Sequence, residues 1–173
     1  VTGGSAGGHL TALLALTPND PAFQPGFETS DTEVQAAVPF YGVFDWTDRD
    51  RLQHNAGLQS ILEDRIVKQT LADAPSLFSN ASPLLRITAS APPFMVVHGD
   101  KDSLVPIGLG RVFAADLAAT SENPVVYLEI PGAQHAFDIF ASPRSEHTKL
   151  GVARFLTHAY SQHLALSDAK QTS

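Results

Sequence analysis

Three residues of this chain could together activate a hydroxyl group: Ser5, His135 and Asp102. Ser5 sits in Gly3-Gly4-Ser5-Ala6-Gly7, a G-x-S-x-G pattern. That pattern is the sequence form of a sharp strand-to-helix turn, with the serine strained at its apex and its hydroxyl exposed. Residues two before and two after the serine pass close to neighbouring backbone, so glycine at Gly3 and Gly7 avoids a clash with a Cβ. The helix that follows aims unpaired N–H groups and its dipole at the serine. The Ala6 N–H is then a natural donor to a developing oxyanion.

A serine hydroxyl needs a base within hydrogen-bond reach, and the base needs an acid to orient it. Asp102 follows an apolar run, in His98-Gly99-Asp100-Lys101-Asp102-Ser103. His135 follows another, in Pro131-Gly132-Ala133-Gln134-His135-Ala136-Phe137. The chain order Ser, Asp, His is one of the known orders of such a triad. Asp100 is the alternative acid, but Asp102 lies further from the strand end and reaches the next loop more easily. Either aspartate could instead satisfy turn N–H groups. His9, four residues after Ser5, shares its helix face and reads as a structural hydrogen-bonding residue. His98 ends a strand and reads as buried and structural. His54 could line a pocket. His147, His158 and His163 fall in a terminal helix and need no functional explanation. No histidine pair has H-E-x-x-H spacing, which argues against a metal site, and no G-x-x-x-x-G-K-[ST] phosphate loop is present.

The elements that must hold these residues alternate between strand and helix. After Ser5 comes a helix whose Leu10, Leu13, Leu14 and Leu16 supply apolar surface, stopped by Pro18. Residues 18–33, rich in proline and acidic residues, read as a surface loop. Residues 34–41 (VQAAVPFY) read as a buried strand, with Pro39 near its end. A long excursion covers about 45–92. Inside it Leu58, Ile61, Leu62, Ile66, Val67 and Leu71 give a helical pattern, and a shorter helix begins near Pro75. Residues 93–99 (PFMVVHG) form the clearest strand. Pro106 opens a helix to about Thr120, and residues 125–130 (VVYLEI) form another strand. A final helix runs from about Glu146 to Leu164, with Val152, Phe155, Leu156 and Ala159 on one face. Residues 167–173 are polar and expected to fray. This alternation predicts an α/β fold with a parallel sheet covered on both faces, and active residues beyond the carboxyl ends of its strands.

Composition narrows the function. The chain has 173 residues, 43% hydrophobic and 17% charged, enough for one domain with a real core. A formal net charge of −7 disfavours nucleic-acid binding. The absence of cysteine excludes disulfides, thiolate metal sites and a cysteine nucleophile. No apolar run approaches the length of a membrane span. Composition leaves the oligomeric state and compartment open.

With these motifs in place, the chain resembles the esterase/lipase branch of the α/β-hydrolases, close to carboxylesterases and hormone-sensitive-lipase-like enzymes. GGSAGGH, YGVFDW, SPLLRITASAPPFMVVHGDKDSLVP and PGAQHAFD carry the resemblance, which covers nearly the whole chain. It implies a Ser5, Asp102 and His135 triad, an oxyanion donor at Ala6, a small-molecule ester substrate and no cofactor. It offers Asp45 and Trp46 as pocket-wall candidates for substrate binding. It also implies that residues 1–173 are the C-terminal portion of the domain: a stub of the fifth strand followed by strands six, seven and eight. An HGGG-like loop supplying further oxyanion donors lies upstream of the elbow in that family and is not in this sequence. Losing one such donor costs about 100-fold or more in turnover, so the chain alone is expected to be weak or inactive. The rivals are a serine peptidase of the prolyl-oligopeptidase type and an inactive fragment. The small Ala6 after the serine, where such peptidases usually carry a bulky aromatic residue, favours the esterase.

Overall fold

The computed structural model describes residues 1–53 and 57–171, so His54 lies outside the described residues. Four strands, β1 (Thr2–Gly4), β2 (Val38–Phe40), β3 (Phe94–Gly99) and β4 (Val125–Ile130), form one parallel sheet in the order β1-β2-β3-β4. The helices are α1 (Ala6–Leu16), α2 (Leu58–Ile61), α3 (Pro75–Asn80), α4 (Ile107–Thr120) and α5 (Pro143–Gln171). Parallel strands need crossovers, and the helices supply them.

β3 is the keel of the sheet, with every residue buried. Its alternating side chains enter two different cores, as strand geometry requires. Phe94 and Val96 pack with Ala12, Ala15, Phe113 and Leu117 of α1 and α4. Met95 and Val97 join Val38 and Ile130, against which Val152, Phe155 and Leu156 of α5 pack. Helices therefore cover both faces, as the apolar runs predict. A third cluster, with Trp46, Leu58, Leu62, Phe78, Val105 and Leu109, fastens the excursion to α4.

Several details differ from the sequence expectation. In α1 the buried residues are Gly8, His9, Thr11, Ala12, Ala15 and Leu16, while Leu10 and Leu14 are exposed. The cause is proximity, because a Cβ on Gly8 would lie 2.3 Å from the Phe40 carbonyl oxygen. A helix that close to a strand must present small residues. β2 is shorter than residues 34–41 because Pro39 lies inside it. Ala37 and Tyr41 donate N–H groups to Pro93 and Val97 of the β3 side. Pro39, midway between them, has none to give.

In the excursion, α2 runs on into a wide π-helical turn (Leu62–Val67) ended by left-handed Lys68. Leu58 and Leu62 are buried, but Ile61 and Ile66 face solvent. Pro106 caps α4 in an extended conformation rather than being its first helical residue. α5 is longer than expected at both ends and stays helical through Gln171. Its polar tail misleads because residues such as Gln162, Leu164, Ala165 and Leu166 are sound helix formers.

Candidate active site

Ser5 occupies the junction of β1 and α1 with φ 56° and ψ −118°. A non-glycine residue pays for that backbone conformation, and the surroundings must hold it there. Its N–H donates to the Phe40 carbonyl at 3.1 Å, and its carbonyl accepts the His9 N–H at 3.0 Å. A Cβ on Gly3 would lie 2.6 Å from the Gly7 carbonyl oxygen, so glycine is required there. The expected clash at Gly7 is not found, since a Cβ there meets nothing within 4 Å. The tight position on the helix side is Gly8 instead. Ala6, the first residue of α1, is exposed, and its N–H belongs to the turn that lacks partners inside the helix.

His135 lies in the loop after β4. Its Nε2 is 2.9 Å from Ser5 Oγ, and its Nδ1 is 2.7 Å from Asp102 Oδ2. The imidazole keeps 15% of its side-chain surface, whereas the Asp102 side chain is fully buried. Asp102 Oδ1 accepts the N–H groups of Leu104 at 2.9 Å and Val105 at 2.8 Å. Burial works against ionisation of Asp102. Hydrogen bonds from His135, His98 and the Val105 and Leu104 N–H groups outweigh burial and hold its carboxyl well below the usual carboxylate range. An ionised Asp102 accepts a proton-bearing Nδ1, which leaves Nε2 free to accept from Ser5 Oγ.

Asp100 faces elsewhere. Its Oδ1 accepts the Gly132 N–H at 2.6 Å, tying the loop after β3 to the loop that carries His135. The Lys101 N–H donates to the Ala133 carbonyl at 2.9 Å and reinforces that tie.

Asp45 and Trp46, the candidates for a pocket wall, are both buried. Asp45 is buried, and both its oxygens serve its own loop: Oδ1 accepts from Thr47 N–H and Oγ1, and Oδ2 from Arg49 N–H. Trp46 is packed in the core of the excursion, 4.7 Å from the His9 ring between centroids. His9 Nε2 lies 2.7 Å from the Ala81 carbonyl oxygen, so His9 ties the elbow helix to the excursion. Burial lowers its proton affinity despite that bond.

Sequence reasoning passed over Tyr41 and Asp138. Tyr41 follows β2 with φ 37°, its ring centroid 4.7 Å from that of His135. Its hydroxyl donates to Asp138 Oδ1, on the loop that bears His135. Burial, that hydrogen bond and the charges of Asp138 and Asp102 all raise the phenol above its ordinary range. The signal was available, since Tyr41 lies beyond a strand's carboxyl end, as Ser5, Asp102 and His135 do.

Fold and site together define the class: a parallel α/β protein of the α/β-hydrolase kind, with serine, histidine and aspartate linked beyond its strand ends. The chain belongs to the BD-FAE family, whose model matches residues 1–117. It is 51% identical over 168 residues to the probable carboxylic ester hydrolase LipM of Mycobacterium tuberculosis, covering 97% of this chain and 39% of that protein. Esterase LipQ of the same organism is 44% identical over 164 residues, covering 95% of this chain and 38% of LipQ. The chain thus spans about two-fifths of the length of these relatives. Among solved structures, native Est2, an esterase of the Planctomycetes species Thermogutta terrifontis, superposes with a TM-score of 0.62 at 26% identity, covering 97% of this chain and 52% of that one. Thermogutta terrifontis esterase 2 phosphonylated by sarin gives a TM-score of 0.70 at 25% identity, covering 91% and 55%.

Proposed function

We propose that this chain carries the acid, base and nucleophile of a carboxylic ester hydrolase working through a covalent acyl-enzyme. The observation that carries the reading is the unbroken link from Asp102 Oδ2 through His135 (2.7 Å) to Ser5 Oγ (2.9 Å). Esterase relatives and a sarin-phosphonylated structural neighbour support it.

In this mechanism Ser5 Oγ attacks the ester carbonyl carbon while His135 Nε2 takes the hydroxyl proton. The carbonyl oxygen becomes an oxyanion, to which the Ala6 N–H donates at the positive end of α1. Collapse of the tetrahedral adduct expels the alcohol, which receives the proton from His135 Nε2. Water then repeats the sequence on the acyl-serine and releases the acid. Asp102 keeps Nδ1 protonated and offsets the charge on the imidazolium. No metal or organic cofactor enters any step. The substrate is a small-molecule ester.

A fluorophosphonate probe tests the reading, because it phosphonylates an activated serine without needing complete turnover. Mass spectrometry should locate the adduct on Ser5, and both Ser5→Ala and His135→Ala should abolish it. An adduct that survives Ser5→Ala would sink the proposal.

A further inference from the structure

His98 contacts the same carboxylate as His135. It is the fifth residue of β3, and its side chain is fully buried. Its Nε2 lies 3.0 Å from the Val105 carbonyl oxygen and 3.3 Å from Asp102 Oδ2. Both neighbours are acceptors, so Nε2 must carry the proton and share it between them, chiefly toward the closer Val105. Nδ1 is buried and has no hydrogen-bond partner among the described residues. It abuts α4 at Gly110, where a Cβ would lie 2.6 Å from it. With no partner at Nδ1, Nε2–H is the ring's one hydrogen-bonding group among the described residues. Glu129 lies opposite His98 in the β3–β4 register, but its carboxylate is engaged by Arg111 at 2.7 and 2.9 Å. The charged group that His98 touches is therefore Asp102.

We infer that His98 is a positioning residue of the site, an Nε2–H donor that fixes the Asp102 carboxylate through the Asp102–Val105 turn and through Oδ2. The inference rests on the triad reading above. Its geometry is complementary. The turn's own N–H groups grip Oδ1, and His98 anchors the carbonyl of that turn while facing Oδ2. One direction on Oδ2 is left, and His135 Nδ1 fills it. Without His98 the carboxylate could rotate, and His135 would lose the partner that sets its tautomer. Gly110 belongs to the same device, since a larger residue would push the imidazole off the turn.

The test compares His98→Leu, which removes the donor at similar volume, with His98→Gln, whose amide N–H can replace it. The readout is fluorophosphonate labelling of Ser5 in the whole chain across pH. With His98→Leu the maximal labelling rate should fall about tenfold, while the probe concentration at half-maximal rate stays unchanged. Asp102 would also lose one hydrogen bond that keeps it ionised, so the fall in labelling on the acid side should begin at higher pH. His98→Gln should restore the rate to within about threefold of the unsubstituted chain. Equal rates and equal pH profiles in the unsubstituted chain and His98→Leu would overturn the inference and leave the triad reading intact. A His98→Gln as slow as His98→Leu, with the same profile, would also overturn it. Labelling that persists in Ser5→Ala removes both readings. Should His98→Leu fail to fold, nitrogen NMR of the unsubstituted chain decides. An Nε2–H tautomer supports the role, and an Nδ1–H tautomer overturns it.

Discussion

The loops after β2 and β3 each bury an aspartate, and the two aspartates are used differently. Asp45 gives Oδ1 to Thr47 and Oδ2 to Arg49, so its own loop consumes the whole carboxylate. Asp102 gives only Oδ1 to its turn, through Leu104 and Val105, and turns Oδ2 toward His135 and His98. Both satisfy the rule that buried polar groups are hydrogen-bonded. An aspartate after a strand is therefore a chemical candidate only when local N–H groups leave one oxygen unclaimed. Sequence position does not separate the two residues; the direction of the second oxygen does.

The sharpest way to break this comparison is to neutralise each aspartate in turn. Asp102→Asn should slow fluorophosphonate labelling of Ser5 about 10⁴-fold, because an amide favours the wrong tautomer of His135. Asp45→Asn should leave the labelling rate within about twofold and cost about 2 kcal/mol of stability in urea unfolding. Equal loss of labelling in both variants would end the distinction. Acid adds a second view of Asp102. Its carboxyl is lowered on folding, so its stabilising contribution is complete above the unfolded carboxylate value of about 4 and is lost as pH falls through its lower folded value. The stability gap between the unsubstituted chain and Asp102→Asn should therefore narrow below about pH 4 in chemical denaturation.

Smaller effects come from the frame around the two loops. Gly8→Ala forces a Cβ against the Phe40 carbonyl, which also holds the Ser5 N–H. It should cost about 1–3 kcal/mol and slow labelling about tenfold. Gly7→Ala, with open space around it, is the matched control and should cost far less. Tyr41→Phe removes the bond to Asp138 and should cost about 1 kcal/mol, with a loss of labelling of only a few fold.

Much of this arrangement was legible in the sequence where burial dictates residue type. β4 has the bounds read from VVYLEI, and β3 differs by one residue, because apolar runs closed by turn residues leave little freedom. The hydrogen-bonded link of Ser5, His135 and Asp102 was legible because three motifs each fall at a strand's carboxyl end in one chain order. The sequence was misleading where contacts between elements decide. Leu10 and Leu14 look like core, but the nearness of Phe40 gives the buried face of α1 to glycine and alanine. The contacts of Tyr41 and His98 depend on loop conformation, which has no period to read.

α5 has 29 residues, so its axis is about 43 Å long. A six-residue strand such as β3 spans only about 20 Å. The sheet can therefore nucleate this helix but cannot clothe all of it. Packing fixes the segment with Val152, Phe155, Leu156 and Ala159, whereas Tyr160, Leu164 and Leu166 stand in solvent. A free segment that short would be marginal as a helix in water, because starting the first turn is costly. Joined to a turn already formed, each further residue needs only propagation. The second half of α5 thus inherits its order from the first, as a row of bricks keeps the line of its cornerstone.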